Sequence, residues 1–352
     1  MAHRRRPKVE QPSSDEDDED VLSRLRNLQM SSGLGVSAIQ HRNNNRKTNT
    51  RNENVSTIKN DEPPLPLPSD DVEALLSLGL YLVGFGETRQ GSSIIRMRRF
   101  RAFFGVGPKA IKSIHDDLNR KGHKVTADKL FMAMNWLFTY DTEHVLSGRW
   151  KLNEKTIRES VRKVVQQVQS LKDDTIKWED YTGDDIFIIS VDGVHCRIQE
   201  VRKDPGAKWY DHKTNSAGVA YEVALGIRSG RIVWIRGPFP ASRHDITTFR
   251  GEDDPGNGLI DQIPDGMRGI GDSAYRSEPT KMSVSQRGDG LEVKKFKARV
   301  KARQETLFSR LKAFNILNHA FRHGFDAHKQ CFEACSVAVQ YDIDNGHPLF
   351  EI

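Results

Sequence analysis

Cysteine is scarce in this sequence: only Cys196, Cys331 and Cys335 occur among 352 residues. Three unevenly spaced thiols are too few for a disulfide framework in a chain of this size, so we expect reduced thiols. The sequence also has no run of about 20 apolar residues, the length that a membrane-spanning helix needs. Its basic start, MAHRRRPKVE, lacks the apolar segment of a secretory signal. These absences argue against secreted and membrane proteins and predict a soluble intracellular one.

A strong net charge is absent as well, since the formal value is only +6. The distribution of basic residues is therefore more informative than their total. Between positions 89 and 112 there are seven Lys or Arg and no Asp or Glu, with aromatic residues interleaved in RMRRFRAFFG. Arg96, Arg98, Arg99 and Arg101 form a candidate phosphate-binding surface in this stretch. The alternative is a solvated helix face, which is what charge runs commonly prove to be.

A second basic cluster lies between Lys294 and Lys312, where eight Lys or Arg surround Glu305, the only acid of that stretch. Basic residues beside a carboxylate could hold a polyanion next to a metal-binding group. A solvated helix face is again the alternative. The presence of two clusters, one of them around a candidate catalytic acid, favours a nucleic-acid ligand.

Three acids in the C-terminal half follow the order Asp, Asp, Glu. Asp192 follows the apolar run IFIIS, and Asp272 follows MRGIG after the turn-forming IPDG. Each therefore stands at the end of a predicted buried strand, where a bare carboxylate is costly without cations or donors. Glu305 lies in a predicted helix from Ala302 to Ala320, in which apolar residues recur at helical spacing: Leu307, Leu311, Phe314 and Leu317. Such a helix can bring the third acid over the two strand ends.

Oxygen ligands of this kind suit Mg²⁺ or Mn²⁺. Two such ions, about 3.5 to 4 Å apart, can stabilise the attacking and the leaving oxygen of an in-line displacement at phosphorus. The order of acids alone is weak evidence, because strand-end Asp and helical Glu commonly act as caps, turn formers or surface charges. The flanking sequence is more specific.

That flanking sequence resembles the DDE endonucleases of the PIF/Harbinger transposase superfamily and their domesticated relatives. The resemblance runs from about Phe100 to His323 and rests on several motifs in the same order: VDGVHCRI, YEVALGI, RIVWIRGPFPASRHD, GDSAY and ETLFSRLKAFNILNHAFRH. It implies an RNase H-like core, a divalent-metal site, and cleavage of DNA at the ends of a mobile element followed by strand transfer. It also implies a Myb-like DNA-binding accessory protein.

Within this resemblance, Asp192, Asp272 and Glu305 match the catalytic positions of the family, and Asp245 in SRHD matches a further acid near the metal ions. From the residues alone, Asp245 could equally cap a helix that begins at RHDITTF. Lys312, seven residues after Glu305 on nearly the same helical stripe, could meet a DNA phosphate or remain solvated.

Three further groups have a structural and a functional interpretation. His195 should point to the opposite strand face from Asp192, because strand side chains alternate, and we expect a structural histidine. The spacing of His319, His323, Cys331 and Cys335 could suit zinc, but spacing by four is also ordinary helical geometry and free cysteine is commonly a small buried side chain. Four aromatic residues could stack on bases, although core packing is the commoner role: Trp209, Tyr210, Trp234 and Tyr275.

The composition divides the chain into three regions. Residues 1–68 offer little that could form a core and are predicted to be a disordered tail, with HRRRPK as a candidate nuclear-import signal. Residues 69–172 are predicted to be helical, with Asn153 as the N-cap of one helix. That helix and the short segment 142–147 could form a helix-turn-helix, a module the family carries in this region, or could simply pack together.

Residues 184–340 are predicted to form the endonuclease domain. Strands are expected at IFIISVD, VHCRIQE, VAYEVALGI, RIVWIRGPF and MRGIGD, with RSGR as a hairpin turn. The predicted fold class is therefore α/β: a mixed sheet flanked by helices.

These features predict a metal-dependent DNA endonuclease of transposase type, located in the nucleus or else the cytoplasm, that acts on terminal repeats and target DNA as a homo-oligomer. Two alternatives remain open. One is a domesticated DNA-binding protein that keeps the acids but no longer cuts. The other is a nuclease without strand transfer.

Overall fold

The computed structural model describes residues 71–86, 91–181, 185–199 and 206–352. The tail proposed for residues 1–68, including HRRRPK, lies outside these ranges. Within them, no helix combines the length and the apolar character needed to cross a bilayer.

Helices precede the first strand, and polar caps begin two of them. The Asp71 carboxylate accepts a hydrogen bond from the backbone N–H of Glu73, and the Asn153 side chain accepts one from the N–H of Lys155, each at 2.9 Å. The predicted cap at Asn153 is confirmed. The helices are α1 (Val72–Leu82), α2 (Ser93–Phe104), α3 (Pro108–Arg120), α4 (Ala127–Thr139), α5 (Glu143–Trp150), α6 (Glu154–Gln169) and α7 (Lys172–Thr175).

The middle of the chain supplies the strands, with short helices between them. In order these are β1 (Phe187–Arg197), α8 (Gly206–Trp209), β2 (Tyr210–Asp211), β3 (Ser216–Gly226), β4 (Ile232–Pro240), α9 (Asp245–Phe249), α10 (Leu259–Gln262), β5 (Arg268–Ile270), a 3₁₀ turn (Ser273–Tyr275) and β6 (Met282–Ser283). The segments IFIISVD and VHCRIQE, predicted as two strands, belong mainly to the single strand β1. The hairpin predicted at RSGR connects β3 and β4.

The described strands form one six-stranded mixed sheet in the order β2-β3-β1-β5-β6, with β4 also paired to β3. β1 and β4 each run antiparallel to β3, whereas β5 lies parallel to β1 and β6 parallel to β5. This arrangement confirms the predicted α/β class and is consistent with an RNase H-like fold.

Three helices follow the sheet: α11 (Leu291–Lys312), α12 (Asn315–Asn318) and α13 (Phe325–Asp344). The helix predicted from Ala302 to Ala320 therefore begins eleven residues earlier and ends eight residues earlier than expected. It begins earlier because Lys297 and Arg303, which look like surface residues, are buried and hydrogen-bonded. It ends earlier because Phe314 adopts an extended backbone and packs its ring 5.4 Å from that of Phe138.

Two apolar cores lie on the two faces of the sheet. The larger contains Val194 and Cys196 of β1 and continues into α4, α6, α11 and α13; the smaller contains Ile189 and Val191 with Phe249 of α9. Because strand side chains alternate, Asp192 shares its face with Val194, and Gly193 shares its face with Val191. We call the first the helical face, since α11 and α13 pack on it, and the second the loop face, since α9 and the 3₁₀ turn pack on it.

Candidate active site

Asp192 and Asp272 lie side by side because β1 and β5 are adjacent and parallel. The register pairs Ser190 with Ile270, so two residues further along each chain the two acids arrive at the same edge. The apolar segments thus bring both carboxylates to one edge. The prediction that Asp192 ends its strand is wrong, because β1 stays paired with β3 as far as Arg197.

Burial and neighbouring acids both act on Asp192. Its carboxylate accepts a hydrogen bond of 2.8 Å from the N–H of Gly193. Despite this bond, the pKa of Asp192 is raised to about 6, mainly by burial and then by the negative charges of Asp245, Asp272 and Glu305, in that order. Four acidic groups therefore lie within electrostatic range of one another.

Asp272 is held by the turn that follows it. Its carboxylate is the N-cap of the 3₁₀ turn and accepts a hydrogen bond of 2.8 Å from the N–H of Ala274. That bond fixes one carboxylate oxygen toward the backbone. Asp272 therefore has the geometry of a turn-capping residue at a strand end, which leaves its second oxygen free of hydrogen bonds among the described residues.

Glu305 projects from α11, which two buried neighbours fix to the sheet. The side chain of Gln304 accepts a hydrogen bond from Ser190 Oγ at 2.7 Å and donates one to the carbonyl of Val223 at 3.0 Å. Arg303 donates to two carbonyls at the end of β3. Glu305 itself is exposed, beside the edge that carries Asp192 and Asp272.

Asp245 lies on the other face, directly against Gly193. A β-carbon built on Gly193 would stand 2.6 Å from Asp245 Oδ1, so only glycine lets the carboxylate come this close. Asp245 is the first residue of α9, its N-cap is His244, and no side-chain capping bond forms. The alternative role of Asp245 as a helix cap is therefore wrong. Burial is the main cause that raises its pKa.

His195 points to the loop face, as its separation of three residues from Asp192 predicted. Its Nδ1 lies 3.5 Å from Asp211, and burial is the main cause that lowers its pKa. The positive charge of Lys312 also acts on the pKa of His195. Lys312 therefore lies near the C-terminal end of β1, since its charge also acts on Cys196.

Sequence reasoning missed two polar groups of the loop face, Glu222 and Tyr275. Glu222 pairs with Gly193 across β1 and β3 and is 3% exposed; Trp234 Nε1 donates to one of its oxygens at 2.9 Å. Burial raises the pKa of Glu222 to about 8. An acid inside the apolar run YEVALGI was the available signal, since a buried charge requires a reason.

The ring of Tyr275 lies in the core, which is the commoner of the two roles expected for it, base stacking and core packing. The ring is 1% exposed and packs edge-on against Phe249 at 5.5 Å. Trp209 also packs in the fold, stacked on Phe325 at 4.3 Å, whereas Tyr210 remains exposed.

The acids at this edge suit a hard divalent cation by their chemistry. Their oxygens are the ligands that Mg²⁺ and Mn²⁺ prefer, and a cation would offset the repulsion that raises the pKa of Asp192. Across the described residues, however, no three His, Cys, Asp or Glu side chains converge closely enough to hold a metal ion. The candidate zinc residues His319, His323, Cys331 and Cys335 are likewise not gathered, and both cysteines are buried in α13.

The arginines of α2 have different surroundings. Arg96 pairs with Glu73 and donates to Ser77, and Arg101 donates two hydrogen bonds to Asp342 at 2.9 and 3.1 Å. Arg99 lies over the ring of Phe85, and Arg98 is exposed. Contact of this surface with DNA remains a prediction, and Arg98 presents its charge most openly.

The basic cluster of α11 is largely used within the fold. Lys297 binds Asp289 and the carbonyl of Val284, and Arg310 donates to the carbonyls of His347 and Pro348. Together with buried Arg303, these residues make structural contacts that a count of charges could not reveal. Lys312 makes no hydrogen bond or ion pair within the described part of the chain.

Comparison with known families agrees with this geometry. Residues 191–340, less than half of the chain, match the family described as DDE superfamily endonuclease. The matched span contains Asp192, Asp245, Asp272 and Glu305, and supports a DDE endonuclease domain with nuclease or transposase-like activity on DNA. No curated protein and no solved structure matches the chain significantly.

Proposed function

We propose that this protein is a divalent-metal-dependent DNA endonuclease of the PIF/Harbinger transposase type, which cuts DNA at the ends of a mobile element and joins the freed 3′-hydroxyl to target DNA. The observation that carries the proposal is the placement of Asp192 on β1 and of Asp272 two residues beyond the adjacent parallel strand β5, with Glu305 of α11 in electrostatic range, inside the matched span.

Each acid has a role in this proposal. Asp192, Asp272 and Glu305 hold two Mg²⁺ or Mn²⁺ ions, and Asp245 supports them from the loop face. When bound, such ions supply a water of lowered pKa and stabilise charge on the phosphoryl oxygens. Asp192 must be ionised to serve as a ligand, so its raised pKa predicts weaker metal binding below about pH 6.

Basic residues would hold the DNA. Lys312 meets a backbone phosphate beside the acids, and Arg98 of α2 contributes a second contact. The pair α5 and α6 is connected by three residues, and Arg158 of α6 binds Glu143 of α5 with two nitrogens. This pair is the candidate helix-turn-helix for terminal sequences. Cutting two ends together would require a homo-oligomer. We also propose a nuclear location and a Myb-like accessory partner, as the resemblance to the family implies.

The direct test is cleavage and joining of labelled DNA that carries the flanking repeat ends, with Mg²⁺, Mn²⁺ or chelator. Wild type is compared with Asp192→Asn, Asp272→Asn and Glu305→Gln. Glu292→Gln is the matched control, because it removes an exposed acid from the first turn of the same helix, where it pairs with Lys295. We expect metal-dependent products from wild type and control and none from the three variants.

Other outcomes separate the alternatives. Binding of the ends without cutting in either metal would favour a domesticated DNA-binding protein. Cutting without joined products would favour a nuclease that lacks strand transfer. Equal cutting by all three variants would show that the acids do not form the site.

A further inference from the structure

A small cavity on the loop face contains polar groups whose hydrogen bonds are incomplete. It is lined by residues of β1, β3, α9 and the 3₁₀ turn, among them Gly193, Glu222, Asp245 and Tyr275. Among the described residues, neither the Tyr275 hydroxyl nor Glu222 Oε1 has a hydrogen-bond partner, although both are buried. Leaving such a group unpaired costs about 1–3 kcal/mol, so a native fold normally gives it a partner.

The Tyr275 hydroxyl lies among carboxyl groups. After burial, the charges that raise its pKa belong to Glu222, Asp245, Asp192 and Asp272, in that order. A phenol is a hydrogen-bond donor, and an ionised carboxylate can only accept. Asp245 accepts no hydrogen bond from the described residues, borders the same cavity, and is pressed against Gly193. Donor and acceptor therefore face one small space.

The hydrogen bonds around Asp245 hold the rest of α9, and only the contact with Gly193 restricts its carboxylate among the described residues. Arg243 is anchored to Thr248 and Asp253, and Arg236 of β4 donates to the carbonyl of Thr248, so the C-terminal end of α9 is tied to β4 and to the segment between them. None of these bonds involves the Asp245 side chain. A hydrogen bond from the cavity is the remaining means of fixing its orientation.

We propose that Tyr275 is a positioning residue of the acidic site, whose hydroxyl donates a hydrogen bond to Asp245, directly or through one water in the cavity, and so orients that carboxylate toward Asp192. This inference rests on the proposed metal-dependent function. It extends that function by assigning a role to a side chain that packs as a core aromatic. Outer groups that orient metal ligands typically affect metal affinity or activity 10–100-fold.

Tyr275→Phe tests the proposal, since it removes only the hydroxyl and keeps the ring against Phe249. Tyr221→Phe is the matched control, because Tyr221 is equally buried but its hydroxyl bonds His328 of α13 on the helical face, at 2.7 Å. Binding of Mn²⁺ alone to the full-length chain is measured by titration calorimetry. Cleavage rates and thermal unfolding are followed on the same samples.

We expect Tyr275→Phe to raise the Kd for Mn²⁺ about 10–100-fold, with an unchanged KM for DNA. Tyr221→Phe should leave the Kd unchanged and only lower the melting temperature. In Asp245→Asn, the further change Tyr275→Phe should have no added effect on the Kd, because both act through one carboxylate.

Three results would contradict the inference, and they can be told apart. If wild type binds Mn²⁺ and cuts DNA but Tyr275→Phe has the same Kd, the positioning role is wrong and the proposed function stands. Additive effects of Tyr275→Phe and Asp245→Asn would also remove the proposed role. If wild type neither binds Mn²⁺ nor cuts, the proposed function and the inference fall together.

Discussion

The acidic residues on the two faces of the sheet around β1 differ in their exposure to solvent. On the helical face, Asp192 lies within electrostatic range of Asp272 and of exposed Glu305, and we call this part of the sheet the open edge. On the loop face, which we call the closed face, Glu222 and Tyr275 are 3% and 1% exposed and line a cavity together with Asp245. The first arrangement leaves oxygens available to a ligand, whereas the second buries polar groups that act on their neighbours. The contrast separates the acids that would bind metal ions from the residues that would orient those acids. The two groups meet at Gly193, which follows Asp192 and packs against Asp245.

The largest effect should come from the open edge. Asp192→Asn should reduce metal-dependent cleavage at least about 10⁴-fold, a loss of the size seen when one member of a catalytic unit is removed. The amide keeps the shape but is a weaker ligand and carries no charge. Single-turnover cleavage of labelled DNA in Mg²⁺ measures the loss.

The same variant should nevertheless make the metal-free protein more stable. Since the folded pKa of Asp192 is about 6 against an ordinary 3.8, the native state binds more protons than the unfolded chain between these values. The contribution of Asp192 to the free energy of unfolding therefore falls as pH rises from about 4 to 6, by at most about 3 kcal/mol. An inactive Asp192→Asn that is less stable than wild type at pH 7.5 would point to misfolding instead.

Glu222→Gln tests whether the buried carboxyl group of the closed face is protonated in the folded protein. With a pKa raised from 4.5 to about 8, Glu222 is protonated in the native state while the unfolded chain ionises, so it costs stability as pH rises through that window. The amide cannot ionise and can still accept the Trp234 bond. Relative to wild type, the variant should gain stability from pH 5 to 8.5 by at most about 5 kcal/mol.

Denaturant unfolding across that pH range measures the difference. Glu292→Gln is the control, because it makes the same substitution at an exposed position of α11. A flat difference between wild type and Glu222→Gln would show that Glu222 is ionised in the folded protein.

Gly193→Ala should disturb the contact between β1 and Asp245 that links the two faces of the sheet. The new methyl would occupy the space of Asp245 Oδ1, so Asp245 must move, and overpacking of this kind costs about 1–3 kcal/mol. We also expect weaker Mn²⁺ binding. Gly148→Ala is the matched control, since nothing lies within 4 Å of its added methyl. Unchanged stability and Mn²⁺ affinity in Gly193→Ala would show that Asp245 has room to shift without consequence.

The open edge was easier to predict than the closed face because its signals are local. The apolar runs before Asp192 and Asp272 reveal two strands, although β1 continues past Asp192 to Arg197. The polar residue before a helical pattern likewise reveals the cap at Asn153. The position of Asp245 depends on a contact with Gly193 that joins distant segments, although glycine inside a strand is a recognised sign of close approach. Sequence spacing alone could not distinguish Asp245 as a cap from Asp245 packed on a strand.

The basic residues of α11 also differ from their sequence prediction, because some of them are buried rather than exposed. Lys297 and Arg303 are 3% and 2% exposed because each finds backbone carbonyls in the fold, and Lys297 also finds Asp289. A count of charges along α11 assigns them to a surface, since the partners come from other segments. Only tertiary packing separates these residues from Lys312.

The smallest effect should appear at Lys312, the basic residue that extends the open edge toward DNA. If it meets one phosphate, Lys312→Gln should weaken binding uniformly across sequences and reduce the slope of log K against log salt by about 1. Lys295→Gln is the control, because Lys295 is exposed near the start of the same helix and pairs with Glu292. Binding isotherms at several salt concentrations, without divalent metal, measure both slopes. Equal slopes for the two variants would place Lys312 away from the DNA and leave the acids as the only functional part of that edge.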